Sequence, residues 1–532
     1  DFIARPTAKG VIIGGNASFF KWTHYEPCSN FPATRVLQAS GITFMCDYWA
    51  TRDKFVTPSS FTYLEENLYH VLTSLDTIND RAYTDEDIEE LMETPVFQYM
   101  IETVYKGCQC SEDDIAPTET LYDVFLPLFQ GIFSSPGCDI EIPIPNQPAK
   151  RFCAELISAY AHLPNNPDDV EVAVTSEVFP GLNSGISASD TLPSKTVSFD
   201  TDRCLLQSTG LYAVPGHPFT VTIQDDSLIG HISLVVGVWK GNVRKFNSWT
   251  RIPSSLEFSY DLNEATNRIA TPFGGPVYIN IPCGYLTNNG GRLTFGIGFT
   301  DLVPSLYFVH GQTTEAEWQT QISGTYAPWG EIETRDVVFT IPAFEMVDES
   351  YEKMLQVTDY WSTVTTQYAQ FRRQSPDLFK ERGITDTLVA YGYMYASYPM
   401  VGPLGESSRV LDMEVAYSTG AWGWLHEIGH RFERGNTHGD EAGKLWTMFN
   451  SNVETFTNVF SCNGIEGAGI TDRQRCIDNG GAEQTAERNP AVTFYDGIGP
   501  FQKLDFYLML RDGFTWDAFS DTIERGSEFR FP

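Results

Sequence analysis

The spacing of apolar positions divides the chain into stretches of different period. From 59 to 130 they fall at helical intervals, as at Phe61, Leu64, Leu68, Val71 and Leu72, and Asp85-Glu86-Asp87-Ile88-Glu89-Glu90-Leu91-Met92 reads as an acidic helix start. Residues 165–200 are rich in Pro, Asp, Ser and Gly and read as a linker. From about 197 to 345 the period is two. Phe219–Ile223, Ile232–Val238, Val277–Ile281 and Val337–Ile341 predict short strands, with turn signals such as Asn288-Asn289-Gly290-Gly291 between them. Many short strands with Gly/Pro turns predict a β-sandwich. After Asp348 the period returns to 3.6, predicting a long helix over 351–373 and further helices to the end. Near the start, Gly10-Val11-Ile12-Ile13-Gly14-Gly15 predicts a short buried strand and a tight turn. It lacks the Lys-Ser/Thr of a phosphate loop and the third Gly of a dinucleotide fingerprint.

Length and charge narrow the function. A chain of 532 residues predicts about three domains. Its net charge of −34 repels polyphosphate and anionic lipid, which argues against nucleic-acid binding and membrane docking. The longest apolar run, Leu234–Trp239, is far short of the roughly 20 residues of a membrane span. The first residues carry no leader pattern, so the chain is expected to be a processed form or a piece of a longer protein. Ten cysteines, an even count, fit disulfides, with Cys28/Cys46, the four from Cys108 to Cys153, Cys204/Cys283 and Cys462/Cys476 as local groups. Cys108-Gln109-Cys110 has no matching second pair for a zinc site. With the sequon Asn16-Ala17-Ser18, the cysteines point to a secreted, extracellular protein.

The sharpest chemical signal is Trp422-Gly423-Trp424-Leu425-His426-Glu427-Ile428-Gly429-His430. His426 and His430, four apart on a helix, share one face and can meet one Zn²⁺. Glu427 beside them can act as general base on a water. The metzincin arrangement fails, because Glu433 and Asn436 stand where Gly and His are required. The third ligand is therefore Glu441 or Glu454. Spacing favours Glu454, which lies in a stretch with apolar residues at 449, 453, 456, 459 and 460 that predicts a second helix. Asn458, one turn further on, can orient Glu454 or lie on the helix surface. His438 and Tyr393 are candidates for steadying the oxyanion. Trp422, Trp424 and Trp446 can stack on sugars or, more in keeping with tryptophan, fill core.

The run from His426 to His430, followed by Glu454-Thr455-Phe456-Thr457-Asn458-Val459-Phe460-Ser461, resembles the M60-like (enhancin-like) metallopeptidases. Similar landmarks are Ser208–Gly216, Phe273–Ile279, Ala327–Glu331 and the stretch from Gly392 to Met400, so the likeness covers about 195–532. Gly14-Gly15-Asn16-Ala17 and Asn30–Leu37 resemble the region ahead of that domain in TRPM8 channel-associated factors, where an amidotransferase-like α/β fold stands. With no nucleophilic Cys in a strand–turn–helix setting, amidotransferase activity is not expected.

Together these imply a multidomain α+β chain. Residues 1–58 form the end of an amidotransferase-like α/β region, 59–190 a helical region and linker, 191–345 a β-sandwich subdomain and 346–532 a mainly helical gluzincin-type catalytic domain. The resemblance implies a zinc endopeptidase with His426, His430 and Glu454 as ligands and Glu427 as base, acting on glycoproteins, especially mucin-like O-glycosylated segments. The rival reading is a silent structural or glycan-binding module of a larger extracellular assembly. The intact Glu427 favours the enzyme. A third reading, an intracellular channel regulator, conflicts with the cysteines and the sequon.

Overall fold

The computed structural model describes residues 140–147 and most of 150–526; residues 1–139, 434–452, 471–475, 477–499 and 527–532 are the main stretches left out. The expected region 1–58, most of 59–190, Asn16, the cysteines from Cys28 to Cys153, His438, Glu441 and Trp446 lie outside the described residues. The described residues fall into two compact units, one within 140–200 and 207–302, the other within 201–206 and 303–526.

In the first unit the period-two stretch forms β1 (Lys195–Thr201), β2 (Leu205–Ala213), β3 (Phe219–Ile223), β4 (Ser233–Trp239), β5 (Leu256–Asp261), β6 (Thr266–Ile269), β7 (Gly275–Ile281) and β8 (Leu293–Thr300). One sheet has the order β1-β8-β3-β6, and β5, β4, β7 and β2 follow one another in a second. Antiparallel registers Val221↔Phe299 and Leu234↔Ile279 align apolar residues across each pair. In β3, Phe219, Val221 and Ile223 are buried and Thr222 is exposed, which is the one-sided burial that alternation encodes. The register of β4 on β5 shifts between Val236 and Trp239. Gly237 sits there at φ +76°, where an added Cβ would come within 2.1 Å of the Leu256 carbonyl, so the bulge requires glycine.

The second unit differs from the expected helical domain in one respect. Its helices lie with a mixed five-stranded sheet of β9 (Tyr307–Val309), β10 (Trp329–Glu333), β11 (Val337–Pro342), β12 (Glu381–Asp386) and β13 (Met400–Pro403), in that order. Val337–Ile341, grouped by its period with the sandwich, pairs instead with β10 and, in parallel, with β12. The unit therefore takes in Val303 onward, where the sequence reading divided the chain after 345. Alternation identifies a strand and is silent on which sheet it joins, and parallel partners are remote in sequence.

The parallel step from β11 to β12 is bridged by α3 (Tyr351–Arg372), which follows the short α1 (Cys283–Asn288) and α2 (Glu315–Ser323). Ser350 caps α3 by accepting from the Lys353 amide at 3.1 Å, and Met354, Val357, Trp361, Val364, Tyr368 and Phe371 form its buried stripe. After α4 (Ser407–Leu411) and α5 (Met413–Ser418) come α6 (Trp422–Glu433), α7 (Val453–Gly467) and α8 (Pro500–Gly526), the last broken at Thr515. Cys462 and Cys476 form a disulfide, as their spacing suggested, and Cys204 and Cys283 are disulfide-bonded too. No helix of the described residues is long and apolar enough to cross a membrane.

Candidate metal centre

Helix α6 is amphipathic. Trp424, Leu425, Ile428 and Phe432 point into the core. Trp424 meets Phe339 of β11 edge-on at 5.3 Å, and its indole donates to the Glu406 carbonyl at 3.2 Å. Tyr368 of α3 donates to the Leu425 carbonyl at 3.0 Å. Arg431, next after His430, pairs with Glu381 of β12 at 2.8 Å and lies 5.8 Å from the Phe379 ring. These contacts fix the helix by its back and its C-terminal end. Glu381 and Arg382 explain why β12 was not legible: a strand buried along its whole length carries charges, and Arg382 pairs with Glu331 of β10.

Helix α7 crosses the remaining face. At Gly429 an added Cβ would come within 2.8 Å of the Thr457 carbonyl, so glycine is what lets the two helices approach. Thr457 donates its hydroxyl to the His426 carbonyl. Glu454, Thr457, Asn458 and Ser461, at helical spacing, form the polar stripe of α7, while Phe456, Val459 and Phe460 are buried in its apolar core.

His426, His430 and Glu454 converge, with one ligand atom from each lying within 4.8 Å of the others. His426 Nε2 is 3.0 Å from Glu454 Oε2, and His430 Nε2 is 3.5 Å from Oε1. Tetrahedral ligands about 2.0–2.1 Å from a zinc ion stand roughly 3.4 Å apart, so the spacing matches a shared cation. Proton placement sharpens the fit. Asn458 Nδ2 donates to the Glu454 carbonyl at 2.8 Å, which leaves Asn458 Oδ1, 2.8 Å from His426 Nδ1, as an acceptor. His426 therefore carries its hydrogen on Nδ1, and its Nε2 lone pair faces a carboxylate oxygen. Two acceptors at 3.0 Å require a positive charge between them, a proton or a metal. With a proton in that place, hydrogen bonds from His426 and His430 hold the Glu454 carboxyl well below the usual carboxylate range.

The Asn458 side chain meets both residues: its Nδ2 reaches Glu454 at the backbone carbonyl, and its Oδ1 orients His426. Glu427 is 7% exposed and adjoins the first histidine. Tyr393 donates its hydroxyl to Glu406 Oε1 at 2.6 Å, so that proton is committed away from any oxyanion. Trp422 and Trp424 are buried, as the core reading of tryptophan holds. Gly429, Thr457 and the Arg431–Glu381 pair were not singled out from sequence. A glycine between two histidines of one helix was the available sign of a close crossing.

Comparison with known proteins agrees with this architecture. Residues 301–527 match the family model for peptidase M60, enhancin and enhancin-like, and residues 189–290 match that for the N-terminal domain of M60-like peptidases. TRPM8 channel-associated factor 3 of Mus musculus is 23% identical over 531 residues, covering 98% of this chain and 53% of the relative. The chain thus spans about half the length of that curated relative. Among solved structures, IMPa from Pseudomonas aeruginosa in complex with an O-glycopeptide superposes with a TM-score of 0.53 at 13% identity, covering 82% of this chain and 55% of that one. The IMPa metallopeptidase in complex with T-antigen gives 0.53 at 13%, covering 83% and 54%. At such identity these two show the fold alone. Residues 189–290 and 301–527 thus match, in order along one chain, the N-terminal and peptidase domains of the M60-like, enhancin-like peptidases.

Proposed function

We propose that the chain is a zinc-dependent endopeptidase acting on O-glycosylated, mucin-like protein segments outside the cell. The convergence of His426, His430 and Glu454 on one point carries this reading. Two imidazole nitrogens and a carboxylate oxygen are a donor set suited to zinc with one position left open. Zinc, when bound, acts as a Lewis acid and brings the pKa of water at its open position towards about 7. Glu427 takes the proton as water oxygen bonds to the scissile carbonyl carbon, then delivers it to the nitrogen as the C–N bond breaks. Asn458 holds His426 in the tautomer that leaves Nε2 free, and Gly429 and Thr457 keep the two helices close enough for Glu454 to reach both histidines.

The substrate class rests on the fold neighbours bound to an O-glycopeptide and T-antigen. A chain of net charge −34 repels sialylated mucin, so neutral O-glycans are the better partners. Disulfides at Cys462–Cys476, Cys204 and Cys283 support an oxidising, extracellular setting. A second reading, a silent binding or structural module of a larger assembly, has one observation in its favour, the channel-associated name of the curated relative.

Zinc per chain, measured by elemental analysis on protein never exposed to chelator, tests the site. About one zinc is expected, lost in Glu454→Ala. Glu427→Gln should keep the metal and lose on the order of 10²–10⁴-fold in kcat on O-glycopeptides. Full zinc with no cleavage of glycosylated or bare peptides would favour the silent module, and no zinc in folded protein would sink the enzyme.

A further inference from the structure

Tyr393, in the β12–β13 connection, is arranged in reverse. A tyrosine ordinarily buries its ring and leaves the hydroxyl wet. Here the residue is 65% exposed, while its hydroxyl is held at 2.6 Å by Glu406, whose side chain is 4% exposed. Arg409 Nε lies 3.3 Å from the same carboxylate oxygen. Glu406 is itself fixed, since its carbonyl accepts from Trp424 of α6. The next residue, Met394, packs on Gly423, where an added Cβ would come within 2.5 Å of its sulfur and 3.9 Å of Glu406 Oε2. Gly423, Glu427 and His430 are spaced by four and seven, so they share one stripe of α6. The anchored phenol therefore stands at the N-terminal end of the stripe that carries the base and a metal ligand.

We propose that Tyr393 is a specificity-determining residue whose exposed ring face stacks on a neutral sugar of the substrate; this rests on the peptidase reading above. One face of a pyranose presents C–H groups polarised by neighbouring oxygens, and these meet the negative face of an aromatic ring. Donation of the hydroxyl to a buried carboxylate raises the electron density of the ring and removes its freedom to turn. The hydrogen bond to the Glu406 carboxylate, with a smaller part from burial, also pushes the phenol up. Because the hydroxyl is engaged, Tyr393 contributes to binding the glycan and not to steadying the oxyanion. Trp422 and Trp424, the other described aromatics on this end of α6, are buried and offer no such face.

The test is calorimetric binding to the metal-loaded full chain carrying Glu427→Gln, which binds without cleaving. The probes are a peptide with one threonine O-linked to N-acetylgalactosamine, and the same peptide bare. Tyr393→Ala should weaken the glycopeptide by roughly 3- to 10-fold and leave the bare peptide unchanged. Tyr393→Phe, which keeps the ring and loses its anchor, should weaken the glycopeptide less than Tyr393→Ala and again spare the bare peptide. Tyr417→Ala, which removes a similarly exposed ring on α5, should change nothing. Equal loss in Tyr393→Phe and Tyr393→Ala, or equal loss on both peptides, overturns the platform, as does unaltered glycopeptide binding in Tyr393→Ala. A Glu427→Gln parent that does not prefer the glycopeptide overturns the glycoprotein reading itself, and the platform with it.

Discussion

The sheets over 195–300 and the helix pair α6–α7 are both closely packed, yet they bury different chemistry. In β4 and β7 the buried side chains are Leu234, Val235, Val236, Val238, Trp239, Pro276, Val277, Tyr278, Ile279 and Ile281. In α7 every residue from Thr455 to Ile465 is buried, and Thr455, Thr457, Asn458, Ser461 and Asn463 are among them. Burying polar groups costs free energy unless each is bonded, and apolar residues of the same shape would do as well for stability. β4 and β7 are built for burial. The helix pair keeps polar residues because they set the position and proton state of His426 and Glu454.

This contrast can be broken most forcefully through the apolar back of α6. Trp424→Ala should lower stability by about 3–5 kcal/mol in denaturant unfolding. A much smaller loss would mean that the sheet side does not hold the helix. Replacing Cys462 by Ser opens a closed loop of roughly 15 residues and should cost about 3 kcal/mol, read as a shift in unfolding midpoint under non-reducing conditions. Gly429→Ala forces a methyl onto the Thr457 backbone and should cost about 1–3 kcal/mol while also weakening metal retention. Asn458→Ala sharpens the comparison from the polar side. It should reduce metal affinity about 10- to 100-fold in a competition titration with a chromogenic chelator. A purely structural asparagine would change the melting temperature and spare the metal.

The gentlest test is alkaline titration. Burial pushes the Tyr398 phenol up to about 12. The folded chain keeps a proton that the unfolded chain releases above about pH 10, so the stability contributed is full below that pH and falls as pH rises through 12. Unfolding midpoints that stay flat from pH 10 to 12 would contradict this.

Legibility followed the same division. β3 and β7 were readable because one-sided or full apolar burial leaves its period in the residues themselves. β12 was not, since Glu381, Arg382 and Asp386 look like surface until Arg431 and Glu331 are brought beside the first two. The two histidines were readable because four residues of helix put them on one face without outside help. Asn458 was readable only by half: its position one turn after Glu454 suggests the local bond that its Nδ2 makes to the Glu454 carbonyl, whereas the meeting of its Oδ1 with His426 needs α6 packed beside it.

The residues alone determined what is local: the helix carrying His426, Glu427 and His430, the strands of the period-two stretch, and a charge that turns the chain away from nucleic acid. Only the tertiary structure decided what depends on meetings between distant segments. It joined Val337–Pro342 to β12 in parallel, brought Glu454 between the two histidines, and held the Tyr393 hydroxyl on a buried carboxylate with its ring outside. The reason is physical. Periodicity records which side of an element is buried, whereas hydrogen-bond partners, proton positions and a shared cation site belong to pairs of elements and come into being only when those elements pack.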